Sequence, residues 1–363
     1  MNSTLNRDFL NNVNILVTGG AGFIGCALSN KLADNVGKFL VLDCLHPQVH
    51  KNRSRPKDLH EKAELVEGDI TDSAVWDSLL KRFKPDIVFH LAAETGTGQS
   101  LTEANRHGLT NVVGTTCMTD ALTRHRIKVE QMVLTSSRAI YGEGAWTSPT
   151  GITTYPGQRT RAQLDKKQWD FPNIVSVASS SDNTHPDPTS IYGATKLAQE
   201  HILKAWALAF QIPLTILRLQ NVYGRGQSLT NSYTGIVALF SRIAKEGKSI
   251  PLYEDGQCTR DFVNIDDVAN SLVAAIQSKP KACEIFDIGT GNAITIEKMA
   301  KMIAHFYHSP IPIVNGKFRD GDVRHASCDL SSTLIRLNWK PQHSLQNGLI
   351  DLQDWISSEL AQA

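Results

Sequence analysis

The chain has few cysteines, no long apolar run and almost no net charge, and each shortage excludes a class of protein. Its six cysteines, at positions 26, 44, 117, 258, 283 and 328, include no Cys-x-x-Cys pair, which argues against a disulfide frame or a zinc site. No apolar stretch is long enough to cross a bilayer, and residues 1–12 are too polar for a signal peptide. The net charge of +1 gives no general attraction to nucleic acid or membranes. We therefore expect a cytoplasmic protein with no metal and with neither of these partners.

The order of apolar and polar segments predicts the fold class. With 363 residues, 41% of them hydrophobic, the chain is long enough for two lobes. Strand-like and helix-like segments alternate in the first half, which is typical of a parallel α/β sheet. We predict an α/β fold with a Rossmann-like doubly wound parallel sheet and a smaller C-terminal α/β substrate lobe. The predicted strands are 13–18, 38–42, 64–67, 86–91, 130–136 and 214–218, and the helices are about 23–34, 73–83, 100–124 and 191–210.

The predicted domain organisation is discontinuous. The nucleotide-binding domain takes residues 1–221 and about 262–288, and the substrate lobe takes 222–261 and 289–363. Residues 143–189 form an insertion rich in Pro, Ser and Thr, with Trp146, Tyr155 and Trp169 available for packing. A connection of this length is usually functional or mobile. It is either a lid over the site or a surface elaboration without a catalytic part.

A glycine-rich turn between the first strand and the first helix indicates a dinucleotide site. The run Thr18-Gly19-Gly20-Ala21-Gly22-Phe23-Ile24-Gly25 follows an apolar strand and opens a helix, as the dinucleotide fingerprint requires. Glycines let the backbone approach a pyrophosphate, and the helix N-terminus offers it unpaired N–H groups.

Acidic residues at two strand ends bear on which dinucleotide binds. Asp43 ends the second strand, where a carboxylate accepts hydrogen bonds from the adenosine ribose and repels a 2′-phosphate. NAD is therefore favoured over NADP, although Arg53 and Arg55, further along the chain, mean that NADP is not excluded. Asp69 is placed to accept the adenine amino group. Both carboxylates could instead be turn residues.

Tyr192 and Lys196 form the predicted catalytic pair. Residues four apart share a helix face, so the phenol and the ammonium point into one cleft. A nearby Lys⁺ lowers the pKa of a tyrosine, and the phenolate could then take a proton from a sugar hydroxyl during hydride transfer. Ser136 and Ser137 end the fifth strand at the edge of the sheet that faces the ligand crevice, although either could simply cap a turn.

These motifs together resemble the extended short-chain dehydrogenases/reductases, the family of nucleotide-sugar epimerases and dehydratases. The resemblance covers nearly the whole chain apart from 143–189. Its motifs are TGGAGFIG, Asp43, Gly68-Asp69-Ile70, HLAAE (90–94), SSRAIYG (136–142), YGATK (192–196), RLQNVYG (218–224), TRDFVNIDDVA (259–269) and GDVRHASCDL (321–330).

The resemblance implies roles for individual residues. The catalytic triad would be Ser137, Tyr192 and Lys196. The cofactor NAD would contact Gly19, Gly22, Phe23, Ile24, Gly25, Asp43, Asp69, Ile70, Leu91, Ala92, Ala93, Tyr192 and Lys196. The substrate, a nucleotide-diphosphate sugar, would contact Thr97, Ser137, Arg138, Asn221, Arg260, Arg319 and Arg324.

The chemistry within this family is narrowed by two residues. Dehydratases of the family carry an Asp-Glu pair after the serine or threonine, where this chain has Arg138 and Ala139. Neither is a convincing general acid, so 4,6-dehydration is disfavoured. We predict a 4-epimerase that oxidises the hexose transiently and returns the hydride without facial preference. A 4-keto-sugar reductase is the alternative, and a non-catalytic dinucleotide-binding protein is disfavoured because the triad is intact.

Finer likenesses bear on the substrate and the assembly. Residues 94–100 and the SSRAIYGEG run resemble the dTDP-L-rhamnose 4-epimerase group, with UDP-hexose 4-epimerases as the rival. The family resemblance also implies a homodimer built on helices 100–124 and 191–210. A stripe of apolar residues at helical spacing, Ile202, Ala205, Trp206 and Ala209, either forms that interface or packs on the sheet.

Overall fold

A seven-stranded parallel sheet forms the centre of the molecule in the computed structural model, which describes residues 10–50, 52–229 and 235–361. Its strand order is β13-β9-β5-β4-β1-β2-β3. The first three strands extend the sheet to one side of β1 and the later strands extend it to the other, so the strand order reverses between β1 and β4. The prediction of a doubly wound parallel sheet is confirmed. The strands are β1 Asn14–Thr18, β2 Lys38–Asp43, β3 Ala63–Glu67, β4 Ile87–His90, β5 Gln131–Ser137, β9 Leu214–Leu219 and β13 Cys283–Ile288.

Helices cover both faces of this sheet. Two separate clusters of buried apolar side chains lie on its opposite faces, which is why its strands are nearly continuous hydrophobic runs. The helices before the second lobe are α1 Phe23–Leu32, α2 Ser73–Arg82, α3 Thr97–Ser100, α4 Ala104–His107, α5 Gly114–Arg124, α6 Arg161–Asp165 and α7 Ile191–Phe210.

The helix predicted over about 100–124 is present from residue 104, but it is not one regular α-helix. The chain leaves the helix after α3, re-enters it at α4 and passes through a π-helical stretch, Gly108–Val113, before α5. The side chain of Asn111 in this stretch is buried and accepts a hydrogen bond from the Glu94 amide at 2.7 Å. That tie to the loop after β4 accompanies the local departure from α-helical geometry, which is frequent at functional sites.

The second lobe has its own core and its own sheet. Strands β10 Asn221–Tyr223, β12 Thr259–Asn264, β14 Ala293–Thr295 and β16 His325–Ala326 pair with one another, and β11 Pro251–Leu252 pairs with β15 Ile313–Val314. The helices of this lobe are α8 Ile236–Lys245, α10 Ile296–Phe306 and α11 Leu345–Ala361. Helix α9 Ile265–Ser278 and the π-helical turn Thr333–Leu337 contribute instead to the core of the large sheet. Since β13 returns to the large sheet, the chain crosses between the lobes more than once. The predicted domain boundaries stay a prediction.

The insertion at 143–189 is a small folded unit. It contains a three-stranded antiparallel sheet of β6 Trp146–Thr147, β7 Thr153–Thr154 and β8 Val175–Ser176, together with α6. Trp146 and Trp169 are buried, whereas Tyr155 is exposed. Arg159 is buried and donates to the carboxylates of Glu143 and Glu254 and to the Asp322 carbonyl. These bonds hold the insertion against the second lobe, which favours a fixed elaboration over a closing lid.

Among the described residues, no helix combines the length and the apolarity that a membrane crossing requires.

Candidate active site

A cleft of about 1180 Å³ opens at the carboxyl ends of the parallel strands. Its walls come from the segments that follow β1, β2, β4, β5 and β9, with further residues from the second lobe. Ligands of doubly wound sheets bind at this edge, at the point where the strand order reverses. The cleft therefore lies where the sequence predicts the cofactor.

The glycine-rich turn is built for close approach. Gly19 has a φ of +66°, and a Cβ there would lie 2.6 Å from the Ala92 Cα. A Cβ on Gly25 would lie 2.4 Å from the Gly20 Cα, so Gly25 serves the packing of α1 on the turn and does not line the cleft. Gly22, the N-cap residue of α1, has no side chain to cap the helix, which leaves its first amides available to a phosphate.

Asp43 is fixed beside this turn by two backbone amides. Its Oδ2 accepts from the Ala21 N–H at 3.0 Å and its Oδ1 from the Leu45 N–H at 2.9 Å. Each carboxylate oxygen keeps a further lone pair, and the residue lines the cleft, so the side chain can also accept from a ribose. The residues fit a dinucleotide with an unmodified ribose.

The two arginines that could have bound the 2′-phosphate of NADP both interact with other groups of the protein. Arg53 pairs with Glu67 at 2.9 Å, and Arg55 donates to the carbonyls of Leu59, His60 and Ala63. Neither lines the cleft. This arrangement favours NAD over NADP.

The remaining predicted cofactor residues behave in two ways. Asp69 accepts both the N–H and the hydroxyl of Thr71 at 2.8 Å, so it is a turn residue and also part of the cleft wall. The others line the cleft without such a bond, namely Phe23, Ile24, Ile70, Leu91, Ala92 and Ala93.

Ser137 and Tyr192 meet in the cleft from two different elements. Ser137 is the last residue of β5, and Tyr192 lies in the first turn of α7, whose N-terminus is capped by Ser190. Burial raises the pKa of Tyr192, while a hydrogen bond with Ser137 and the positive charge of Arg138 oppose that rise. The hydroxyl and the phenol are thus arranged to act on one oxygen atom.

Lys196 bonds to a neighbour on its own helix, and its predicted coupling to the Tyr192 phenol stays a prediction. Its ammonium is buried and bonds to Gln199 Oε1. Burial lowers the pKa of Lys196 to about 7, with Glu200 opposing the shift. The positive charge that acts on Tyr192 here is that of Arg138.

A buried chain of polar groups continues from Lys196 into the sheet. Gln199 Nε2 donates to Thr115 Oγ1 at 3.0 Å and lies 3.2 Å from His90 Nε2. His90 Nδ1 lies 2.7 Å from Thr18 Oγ1. Burial, aided by Lys196, lowers the pKa of His90 to about 3, so the imidazole is neutral. The chain connects the lysine to the end of β1, next to the glycine turn.

Sequence reasoning missed Gln199 and Asn111, which both position parts of the site. Asn111 Nδ2 donates to the Glu94 carbonyl and to Thr195 Oγ1, so it joins the loop after β4 to α7. Both are fully buried amides on helices. An amide on the same helix face as Lys196, three residues later, was the signal that could have identified Gln199.

Arg138 is the most exceptional charge of the site. It lines the cleft directly after Ser137, and within the described residues its guanidinium has no hydrogen-bond or ion-pair partner. Burial and the neighbouring Arg260 lower its pKa to about 9. Arg138 is therefore a half-buried cation without a partner in the protein, which suits a group that interacts with a ligand. Thr97 and Asn221, two other predicted substrate contacts, also line the cleft.

The other three predicted arginines lie outside the cleft wall. Arg260 donates to the carbonyls of Thr259, Val323 and Arg324, and Arg319 lies over the Tyr253 ring at 4.9 Å. The buried Arg324 pairs with Asp170, Glu254 and Asp255. Their contact with a nucleotide sugar stays a prediction. For Arg324 the structure supplies a different role, a tie between the insertion and the second lobe.

A second buried ionic cluster holds the turn that carries Ser137 and Arg138. Tyr141 at the end of this turn donates to Asp287 at 2.9 Å, and Arg218 donates to Tyr141 and to both oxygens of Glu200. Burial raises the pKa of Asp287 to about 7. Strands β9 and β13 and helix α7 thereby fix the 3₁₀ turn, Arg138–Tyr141, from beneath.

No group of three or more His, Cys, Asp or Glu side chains within the described ranges is arranged to hold a metal ion.

Comparison with known proteins agrees with this geometry. The model of the NAD dependent epimerase/dehydratase family matches residues 15–289. A dTDP-L-rhamnose 4-epimerase of Burkholderia thailandensis is 62% identical over 358 residues, which cover 99% of each chain.

Solved structures give the same result. The UDP-glucose 4-epimerase of Thermotoga maritima, determined with UDP-glucose, has a TM-score of 0.78 at 28% identity, covering 96% of this chain and 100% of that one. The UDP-glucuronic acid 4-epimerase of Bacillus cereus, in complex with UDP-glucuronic acid and NAD, has a TM-score of 0.78 at 25% identity with the same coverage.

Proposed function

Because the chain belongs to the NAD dependent epimerase/dehydratase family, we propose that it interconverts dTDP-L-rhamnose and its 4-epimer, dTDP-6-deoxy-L-talose. The predictions of this family, of NAD as cofactor and of a nucleotide-sugar epimerase are confirmed by the family match and the relatives. The observation that carries the choice of substrate is the 62% identity to a dTDP-L-rhamnose 4-epimerase over 99% of both chains.

The site residues have complementary tasks in this reaction. Tyr192 takes the proton of the 4-hydroxyl and later returns it, and Ser137 hydrogen-bonds the same oxygen. NAD, when bound, supplies the hydride acceptor and donor. The positive charge of Arg138 favours the phenolate, and Lys196, one helical turn after Tyr192, is proposed to act in the same sense. Tyr192 thus removes the proton and gives it back, so the protein ends each turnover in its starting protonation state.

Turning of the hexose needs space, and the cleft supplies it. Gly96, in the loop after β4, lines the cleft and adds no side chain to its volume of about 1180 Å³. The only carboxylate of that loop, on Glu94, pairs with Arg106 at 2.6 Å. Arg138 and Ala139 stand where a dehydratase would need its acid. The site therefore favours epimerisation over loss of water.

The test is incubation of the purified protein with dTDP-L-rhamnose and no added NADH or NADPH. We expect the 4-epimer to accumulate to an equilibrium mixture, with no net change in absorbance at the wavelength of reduced nicotinamide. UDP-glucose and UDP-N-acetylglucosamine serve as competing substrates. Product only from a UDP-sugar would replace the substrate, and a stoichiometric need for NADH or NADPH would establish a reductase instead.

We also propose a homodimer formed through α7 and the helices around 104–124. Leu203 and Ala207 pack inside the chain, whereas Ala205 and Ala209 of the predicted stripe are exposed, beside Leu208, which is 79% exposed. Ile202 and Trp206 of the stripe are half-buried, and Trp206 packs on the apolar cluster of the sheet, so the stripe divides and only its outer half supports an interface.

Light scattering of a single variant tests the interface. We expect Leu208→Asp to halve the mass of the particle, because a carboxylate would be buried between the subunits. Ile335→Asp is the matched control, since Ile335 is 80% exposed outside this face. A monomeric parent, or dissociation by the control alone, contradicts the proposal.

We propose a cytoplasmic location, which the six free cysteines support.

A further inference from the structure

Gln220 is a buried amide at the reacting end of the cleft, and no role follows for it from the reaction alone. It comes directly after β9, lines the cleft and is 4% exposed. Neither its Nε2 nor its Oε1 has a hydrogen-bond partner among the described residues. Buried side-chain amides are nearly always hydrogen-bonded. An amide in the cleft wall with neither atom bonded therefore suits a ligand that can both accept and donate a hydrogen bond.

The sheet places Gln220 on the side of the substrate. In the pairing of β5 with β9, Ser137 lies opposite Leu219, the residue before Gln220. The glycine turn and Asp43 follow β1 and β2, on the other side of β5 in the strand order. Since neighbouring strands are about 4.8 Å apart, Gln220 lies beyond Ser137 from the adenosine end of the cleft. That is the direction of the hexose.

The stem of Gln220 is held firmly. A Cβ on Gly289 would lie 2.7 Å from the Gln220 Cγ, so these two positions are in close contact. The backbone N–H of Gln220 donates to the Ile288 carbonyl at 2.8 Å, which ties it to the end of β13. A side chain restrained in this way loses little freedom when it binds, which favours a recognition role.

We propose that Gln220 recognises the hexose, donating from its amide nitrogen to one ring hydroxyl and accepting from a neighbouring hydroxyl at its oxygen. The inference rests on the proposed function, because it takes a nucleotide-diphosphate hexose as the ligand. Gln220 touches the sugar and not the nucleotide or NAD, so it determines which sugars are held against Ser137 and Tyr192.

Gln353 provides a matched control. It is 1% exposed in α11, and neither atom of its amide has a partner among the described residues. It does not line the cleft. The two glutamines share burial and lack of bonding and differ in position, so only a ligand in the cleft distinguishes them.

The experiment compares Gln220→Met and Gln353→Met by calorimetric titration of the NAD-loaded protein. Methionine keeps the length of the side chain and removes both polar atoms. We expect Gln220→Met to weaken the binding of dTDP-L-rhamnose about 10- to 100-fold, with the affinity for dTDP unchanged. Gln353→Met should change neither affinity.

Several outcomes would overturn the inference. Equal weakening of dTDP and dTDP-L-rhamnose would make Gln220 a nucleotide contact, and loss of NAD binding would make it a cofactor contact. Unchanged sugar affinity would mean that ordered water satisfies the amide. If Gln220→Met does not fold, Gln220→Glu keeps the shape and an acceptor, and it must still weaken sugar binding while sparing dTDP.

Failure of the proposed function gives a different pattern. If the parent does not epimerise dTDP-L-rhamnose but acts on UDP-glucose, the same comparison is made with UDP-glucose against UDP. Selective loss of sugar affinity there upholds the role of Gln220, and its absence overturns it.

Discussion

The two ends of the cleft differ in how far the protein satisfies its own polar groups. At the cofactor end, Asp43 is bonded to two backbone amides. At the substrate end, Arg138 and Gln220 have no partner among the described residues. Polar groups without a partner are costly inside a protein. We therefore regard the cofactor end as a frame, whose polar groups are bonded within the protein, and the substrate end as a binding surface, whose polar groups are bonded only when a ligand is present.

The largest effect is expected from Tyr192→Phe, which removes the proton acceptor and leaves the ring in place. Turnover of dTDP-L-rhamnose should fall about 10³-fold or more, because general acid–base catalysis contributes on that scale. Bound NAD, measured after release from the denatured protein, should stay at the parental level. Near-parental turnover would refute Tyr192 as the base, and the substrate end of the cleft would then lack its assigned proton acceptor.

Two arginines that sequence reasoning treated alike should separate next. Arg324→Met leaves Glu254 buried with one cation fewer, and loss of a partner in such a pair costs about 3–5 kcal/mol. Its free energy of unfolding, measured in urea, should fall accordingly. Arg138→Met removes a half-buried cation that has no partner, so its stability should hold or rise while its affinity for dTDP-L-rhamnose falls.

An exposed arginine controls for the charge itself. Arg161 pairs with Asp165 and Asp320 at the surface, and such pairs contribute about 0–1 kcal/mol. Arg161→Met should therefore leave both stability and affinity nearly unchanged. If Arg138→Met destabilised the protein as strongly as Arg324→Met, the division into frame and binding surface would be wrong.

Lys196→Met should change how the free energy of unfolding depends on pH. The pKa of Lys196 is lowered to about 7 by burial, so between pH 7 and its ordinary pKa near 10.5 the unfolded chain binds more protons than the folded one. Parental stability therefore rises with pH in that window. The variant should be the more stable protein at pH 6, with a margin that shrinks as the pH rises, although its turnover is lost.

Urea unfolding of both proteins at pH 6 and pH 9 measures this margin. A margin that is the same at both pH values would mean that the folded protein holds the lysine as a cation throughout this range, with its bond to Gln199 Oε1 offsetting the cost of burial. Lys204→Met, at an exposed position of the same helix, provides the control and should show no change in margin.

Local sequence signals predicted the cofactor end well, for a physical reason. The bounds of β1, β2 and β5 agree with the prediction to within one residue, because apolar runs and a glycine turn are local features. The roles of Gln199 and Arg324 depend on distant partners. Arg324 meets Glu254 and Asp170, which are 70 and 154 residues away in the chain. No periodicity encodes such pairs, so the groups that position the site and tie the insertion to the second lobe were less predictable than the glycine turn.

The smallest effect is expected from Asp43→Asn, which tests the frame itself. An asparagine keeps one acceptor oxygen but loses the charge that repels a 2′-phosphate. One of the bonds from Ala21 and Leu45 should persist, so the protein should stay folded. We expect NAD affinity to fall about 10-fold and the preference for NAD over NADP to narrow, since a charged hydrogen bond is worth about 1.5–3 kcal/mol. Titration of the nucleotide-depleted protein with each cofactor measures both. An unchanged preference would show that Asp43 only braces the turn, and the cofactor end would then select its ligand by shape alone.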